Sequence, residues 1–328
     1  MIAVRERHPH WGARKIRVLL ERDGQLETIP AVSTIGSILQ AHGLTVKRKR
    51  RPSGRPSEEP LAHATGANKV WCADYKGWFR SGDGQRIDPL TITDAYSRYL
   101  LRCQAVKRPN YLHSKPIFEA AFREYGLPDR MRTDNGAPFG SNGESGLTGL
   151  AVWWIKLGIQ PERIQPAKPQ QNGRHERMHR TLKQATAQPP ARNWRAQQQR
   201  FDEFRQEYNE IRPHEALGQE TPAWFYQPSS RPYPRRLPEV EYPDHWQVRR
   251  VAPGGQMRWH SEYVFVAHAL QGENVGLEQI AERYWRVWFS FYEVGVLDSQ
   301  NARIRRPEIW RKQQSKQRSA GSPGMEAQ

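Results

Sequence analysis

The sequence predicts a multidomain α/β protein: a short helical N-terminal part, a central α/β core and a C-terminal part built of short strands. Three observations carry that reading. Apolar residues recur at helical spacing before residue 46, strand-like and helical stretches alternate between 69 and 190, and strict alternation takes over from Trp246 to Leu297. At 328 residues the chain exceeds one ordinary domain. Its 37% hydrophobic and 26% charged residues describe a globular, water-soluble composition.

Taken in order, residues 1–46 read as a helix pair. Ala13 to Glu21 sets Ile16, Leu19 and Leu20 on one face. A second helix, with Ser33 as N-cap after Pro30, carries Ile35, Ile38 and Leu39 and stops at Gly43. Such a pair predicts a helix-turn-helix, whose second helix would enter the major groove of DNA. Residues 47–65 contain Lys47-Arg48-Lys49-Arg50-Arg51 and Gly54-Arg55-Pro56, a run too polar to pack. It reads as a basic linker contacting DNA through Lys49, Arg50 and Arg55. Residues 66–227 form the core with its following helix. Strands are expected at Val70–Gly77, Ile87–Thr93 and Tyr99–Gln104, then a helix from Lys115 to Tyr125. A strand ending at Arg132, a helix from Leu147 to Leu157, a strand from Ile159 to Ile164 and a helix from Gly173 to Thr186 follow. Three antiparallel strands succeeded by alternating helices and strands is the layout of a ribonuclease-H-like mixed-sheet core. A helix from Asn193 to Asn209 closes the region. Residues 228–244 read as a Pro-rich linker, 245–300 as a small β-barrel, and 301–328 as a disordered basic tail.

The charge narrows the partner. Fifty-one Lys and Arg against 34 Asp and Glu give +17 and a pI near 10.1. Such a surplus favours a polyanion, because each cation set on a phosphate releases condensed counterions. Cys72 and Cys103 are the only cysteines and form no CxxC pair, which argues against a disulfide scaffold or a zinc finger and suits a reducing compartment. No signal peptide or bilayer-spanning run is visible, so the expected location is the cytoplasm, with access to the chromosome and no membrane partner.

Three acids carry the chemistry. Asp74 sits in the apolar strand Val70-Trp71-Cys72-Ala73-Asp74-Tyr75, where an unpaired carboxylate is unfavourable. Asp134 falls where a strand gives way to Asn135-Gly136, and Glu176 lies in the first turn of a helix. Phosphoryl transfer to DNA uses two metal ions roughly 3.5–4 Å apart, and hard ions such as Mg²⁺ or Mn²⁺ take oxygen ligands. One acid on a strand, one at the end of another and one on a crossing helix would hold such a pair.

Trp71-Cys72-Ala73-Asp74, Arg132-Thr133-Asp134-Asn135-Gly136 and Pro169-Gln170-Gln171-Asn172-Gly173-Arg174-His175-Glu176-Arg177 resemble the three active-site motifs of retroviral-type integrase cores, most closely those of bacterial insertion-sequence transposases. Tyr208-Asn209-Glu210-Ile211-Arg212-Pro213-His214-Glu215-Ala216-Leu217 resembles the segment that follows the core in that family. The hairpin Thr93-Asp94-Ala95-Tyr96-Ser97-Arg98-Tyr99 is similar too and reads as structural. The resemblance implies a DDE transposase in which Asp74, Asp134 and Glu176 bind two ions. It also implies a homo-multimer acting on double-stranded DNA, at element ends and target, with Gln171, Asn172, His175, Arg180 and Lys183 near the DNA. Water would cleave the element end, and the freed 3′-hydroxyl would attack target DNA. The 41 residues between Asp134 and Glu176 exceed the usual retroviral gap, and Gly140 to Gly146 reads as a surface insertion. Relatives of this type usually carry a further helix-turn-helix ahead of the Arg5–Gly12 segment, so that reader is expected to be missing or supplied by another frame.

Two other functions are weighed. A plain ribonuclease-H-type nuclease needs a fourth carboxylate, for which Glu119 or Glu124 could serve. A DNA-binding regulator that no longer cuts would not need the three acids intact.

Overall fold

The computed structural model describes residues 1–45, 62–141, 145–164 and 173–320. In chain order the elements are α1 (Ile2–Arg7), α2 (Ala13–Asp23), α3 (Val32–Ala41), β1 (Val70–Tyr75), β2 (Phe79–Arg80), β3 (Arg86–Asp94), β4 (Leu100–Val106), α4 (Tyr111–Tyr125), β5 (Arg130–Thr133), α5 (Gly149–Lys156) and β6 (Gln160–Arg163). Then come α6 (Gly173–Thr186), α7 (Trp194–Gln206), α8 (Pro222–Phe225), β7 (Gln247–Arg250), β8 (Gln256–Trp259), β9 (Glu262–Phe265), β10 (Asn274–Gln279), β11 (Tyr284–Phe289), β12 (Tyr292–Asp298), β13 (Arg303–Arg305) and α9 (Pro307–Ala320). The order of the central elements is the one the sequence predicts. No described helix is long and apolar enough to cross a membrane.

The chain divides into two compact units, Met1–Pro128 with Ile164–Pro232, and Asp129–Arg163 with Tyr233–Gln328. The boundary departs from the expected 66–227 core. The reason is α5, whose residues Leu150 to Ile155 are all buried. Together with Leu147, its Ala151, Val152 and Ile155 share one apolar core with Val251, Met257, Leu277 and Phe289 of the C-terminal strands, and Lys156 Nζ meets Glu273 Oε1 at 2.8 Å.

In the first unit β3 pairs antiparallel with β1, β2 and β4. Alternation gives this sheet two chemically different faces. Trp71 stacks near Phe122 of α4 on one face, with ring centroids 5.8 Å apart. The other face meets α6 and α7: Ile87, Cys103 and Ala105 pack with Met178, Leu182, Phe201 and Phe204. Asn110 caps α4, its side chain accepting from His113 N, so the helix starts four residues before the expected Lys115.

The N-terminal helices α2 and α3 pack through Ile16, Leu20, Ile35 and Leu39, while Leu19 and Ile38, expected on the same faces, are only half-buried. Ser33 is not the cap: the helix starts at Val32 behind an extended Ala31, and Ser33 offers only its carbonyl, to Ser37 Oγ at 3.2 Å. The pair does not stand alone. Trp11 is buried under the Arg212 guanidinium, Lys15 donates to the Pro213 carbonyl, and Arg14 and Arg22 pair with Glu215 and Glu220. The post-core segment is thus the seat of the N-terminal helices.

In the second unit β5 and β6 run parallel. The C-terminal strands sort into a five-stranded antiparallel sheet, β13-β12-β11-β10-β7, and a separate hairpin, β8-β9, tied by a bridge between Val251 and Met257. The Pro-rich segment 228–244 is held rather than free. Arg231 O accepts from Leu127 N at 2.7 Å in the first unit, while Tyr242 donates to Asn274 O at 2.8 Å in the second. The tail is also a correction. Of the stretch expected to be disordered, residues 303–320 form β13 and α9, because Ile304 is buried, Trp310 meets Tyr284 edge-on and Arg311 pairs with Glu293 at 2.7 Å, while 321–328 lie outside the described residues.

Candidate active site

Asp74 stands on β1 directly opposite Thr91 of β3. Opposed residues of an antiparallel pair point to the same face, and here that face lies under α6. Thr91 Oγ1 lies 2.7 Å from His175 Nε2, 2.7 Å from His179 Nε2 and 3.1 Å from the Asp74 carbonyl oxygen. Thr93 Oγ1 approaches His175 Nδ1 at 3.4 Å. His179 Nδ1 faces Asp74 Oδ2 at 3.9 Å. One threonine hydroxyl therefore ties the strand bearing Asp74 to the helix bearing Glu176. Burial pushes His175 down to about 3. Burial, then the neighbouring His175 and Lys76, hold His179 well below the usual imidazole range. Both rings are neutral at physiological pH and act as hydrogen-bonding parts of the core.

Helix α6 is built for this placement. His175, Met178, His179, Leu182 and Thr186 are buried on one face, while Glu176, Arg180 and Lys183 are exposed. Asp74, Lys76, Glu176, His179, Arg180 and Lys183 line one open depression of about 410 Å³. Burial lowers the Lys76 amine, Lys183 adds to the effect and Asp74 opposes it.

Asp134 belongs to the second unit and is held by its own loop. Gly136 N donates to Asp134 Oδ1 at 3.1 Å. Phe139 N and Gly140 N both bond back to Gly136 O, at 2.9 and 2.8 Å, and the buried Phe139 ring stacks near Trp154 of α5. Burial raises the Asp134 carboxyl above its ordinary value, with the Gly136 amide working the other way.

The donor atoms of Asp74, His175 and His179 lie within 4.8 Å of one another. A nitrogen-rich site for a softer metal is nonetheless a poor reading, since both Nε2 atoms are engaged by Thr91 and His175 Nδ1 faces Thr93. Of the residues expected at DNA, Arg180 and Lys183 share the exposed face of α6 with Glu176. His175 is a correction: at 4% exposure it cannot reach a nucleic acid. Lys49, Arg50, Arg55, Gln171 and Asn172 lie outside the described residues. Sequence reasoning missed Thr91, His179 and Lys76. The buried spacing 175, 178, 179, 182 was the available signal for the histidines. Glu119 pairs with Arg123 at 2.7 Å and Glu124 with Arg102 at 2.6 Å. Neither lines the depression among the described residues.

Comparison with known proteins places these features. An integrase core domain profile matches residues 64–169, and a second profile, also described as an integrase core domain, matches 157–222. The chain is 29% identical over 229 residues to an uncharacterized 31.7 kDa protein of insertion element IS407 from Burkholderia multivorans, covering 66% of this chain and 75% of that one. It is 27% identical over 234 residues to the Escherichia coli transposase InsD for insertion element IS2A/D/F/H/I/K, covering 65% and 72%. A solved HTLV-2 integrase catalytic core domain in complex with magnesium aligns at 15% identity and a TM-score of 0.39, over 50% of this chain and 99% of that one. The protein carries an integrase core domain. These matches support a bacterial insertion-sequence transposase with a retroviral-type integrase core.

Proposed function

We propose that the chain cleaves DNA at the ends of a mobile element and joins the freed 3′-hydroxyl to target DNA, with Asp74, Asp134 and Glu176 as the carboxylates that hold two divalent ions, Mg²⁺ or Mn²⁺. The observation that carries this reading is the shared opening of Asp74 and Glu176 onto a depression rimmed by Lys76, Arg180 and Lys183. Two acids among three cations suit a phosphodiester approached by metal. Carboxylate oxygens are the donors that hard divalent ions prefer. When bound, such ions offset phosphate charge and assist the attacking and leaving oxygens.

The residues of the chain itself supply position. Thr91 and the two neutral histidines fix Glu176 relative to Asp74. Arg180 and Lys183, four and seven residues beyond Glu176, point toward the same DNA. In the N-terminal pair, Ser33, Thr34, Ser37 and Gln40 are exposed on α3 and offer hydrogen-bonding groups to base edges, which supports a helix-turn-helix role. The +17 surplus suits duplex DNA as partner. A homo-multimer on that DNA would bring two element ends together, and the C-terminal strands would complete it as a small barrel.

The test is single substitution at each acid. Asp74→Asn, Asp134→Asn and Glu176→Gln preserve size and remove the charge the ions need. Each is expected to abolish joining of a labelled terminal oligonucleotide into plasmid, while duplex binding persists. Substantial joining by any of the three removes that residue from the assignment.

A further inference from the structure

A second cavity, of about 520 Å³, lies wholly within the first unit, on the side of α6 away from Asp74. Three stretches with no part in the acid site meet there: the N-terminal helices, the hairpin at Arg98 and the segment from Tyr208 to Glu215. Lys15, Arg98, Arg174, Arg177, Arg180 and Arg212 line it. Among the described residues the sole acid in the lining, Glu215, is exposed and already bound to Arg14, Nη1 to Oε1 at 2.8 Å. Six cations thus converge on a concavity whose described lining holds one acid.

Arg98 is the telling member. Its Nε is buried with no hydrogen-bond partner. A buried donor left unmade costs on the order of 1–3 kcal/mol, more when it is charged. The main chain at Arg98 also sits at φ 64°, in the left-handed region that disfavours a branched or long side chain. That geometry is imposed from below. Asp94 Oδ1 accepts from Ser97 N at 2.7 Å and from Ser97 Oγ at 2.6 Å, while Asp94 Oδ2 accepts from Asn68 N at 2.8 Å. The hairpin is structural up to Ser97, and what it delivers is the Arg98 side chain. Burial, followed by nearby Arg174, works against the charge of Arg98. Burial and Arg212 bring Lys15 down to about 7. Six cations around one acid, with a buried Arg98 Nε that has no hydrogen-bond partner, are expected where an anion completes the cavity.

We propose that this cavity binds a phosphate group of the DNA strand that crosses α6, with the half-buried Arg98 among its donors. Arg180 lines both this cavity and the Asp74–Glu176 depression, so one strand can engage both. The inference rests on the proposed action on DNA, and the ligand chemistry, a phosphate oxyanion, can be probed without it.

Three proteins decide the matter: the unaltered full chain, Arg98→Met and Arg98→Lys. Each is measured for thermal melting with and without pyrophosphate, and for duplex affinity against salt. The unaltered chain is expected to melt higher with pyrophosphate. Arg98→Met is expected to melt no lower than the unaltered chain when no anion is present, to lose the pyrophosphate shift, and to show a log–log salt slope smaller by about one. Arg98→Lys should keep the slope and part of the shift. Lower melting of Arg98→Met without anion, with an unchanged slope and shift, would overturn the proposal and make Arg98 a structural cation. Loss of the shift with an unchanged slope would overturn the DNA assignment and leave a small-oligophosphate site. Failure of the unaltered chain to bind duplex would refute the action on DNA itself, while the pyrophosphate measurement still decides the cavity.

Discussion

Asp74 and Asp134 are held in opposite ways. Asp74 sits mid-strand, and its surroundings are tied by residues distant in sequence, with Thr91 and His179 converging from another strand and a helix. Asp134 sits at a strand end and is secured by its next six residues, through Gly136, Phe139 and Gly140. The first arrangement depends on tertiary packing, the second on local backbone. Damage to the two should therefore look different: long-range and graded at Asp74, local and steep at Asp134.

The steepest effect is expected at Phe139, the buried floor of the Asp134 loop. Phe139→Ala should destabilise by about 3–5 kcal/mol, as large-to-small core changes do. Urea unfolding measures it, and a loss under 1 kcal/mol would mean that the ring does not anchor the loop. Next comes Gly140→Ala. A Cβ there collides with the Asn135 backbone carbonyl, which cannot rotate away as a side chain would. The expected loss is about 1–3 kcal/mol of stability, accompanied by failure of joining activity, because the same turn aims Asp134. Normal joining at an unchanged melting temperature would show the loop to be more yielding than this. The smallest effect is expected from Thr91. Thr91→Val keeps the shape and removes the shared hydroxyl, at about 1–3 kcal/mol for the polar atoms left unmatched, and Thr91→Ser should restore most of it. Duplex affinity should not change, whereas the Mn²⁺ concentration giving half-maximal joining should rise in Thr91→Val alone. An unshifted Mn²⁺ requirement would reduce the threonine to a packing residue and erase the contrast.

The same contrast explains what could be read from the chain. The Gly173–Thr186 helix was legible to its ends, because its apolar spacing is regular and its turns carry charge outward. The acids were legible because carboxylates in apolar or turn settings need a reason. His175 was misplaced because a histidine between Arg174 and Glu176 reads as solvent-facing, and only the sheet beneath it, with Thr91 and Thr93, makes the ring a buried partner. The tail misled for a similar cause. Its composition is basic and polar, yet Trp310 and Arg311 find Tyr284 and Glu293, contacts that no local pattern announces. The division of the core was hidden as well. Leu147 to Ile155 reads as an ordinary buried helix, and nothing in its spacing says which strands will cover it.

That covering has a consequence for how much of this protein can be removed. The chain passes from one unit to the other three times, after Pro128, after Arg163 and after Pro232. A polypeptide stopped at Pro232 would retain Asp74, Asp134 and Glu176 and the whole stretch matched as integrase core. It would nevertheless leave Leu147, Ala151, Val152 and Ile155 wet, stripped of Met257, Leu277 and Phe289. The last third of the sequence is the missing wall of a room whose other walls were made a hundred residues earlier, so early termination should yield aggregate rather than a smaller working enzyme.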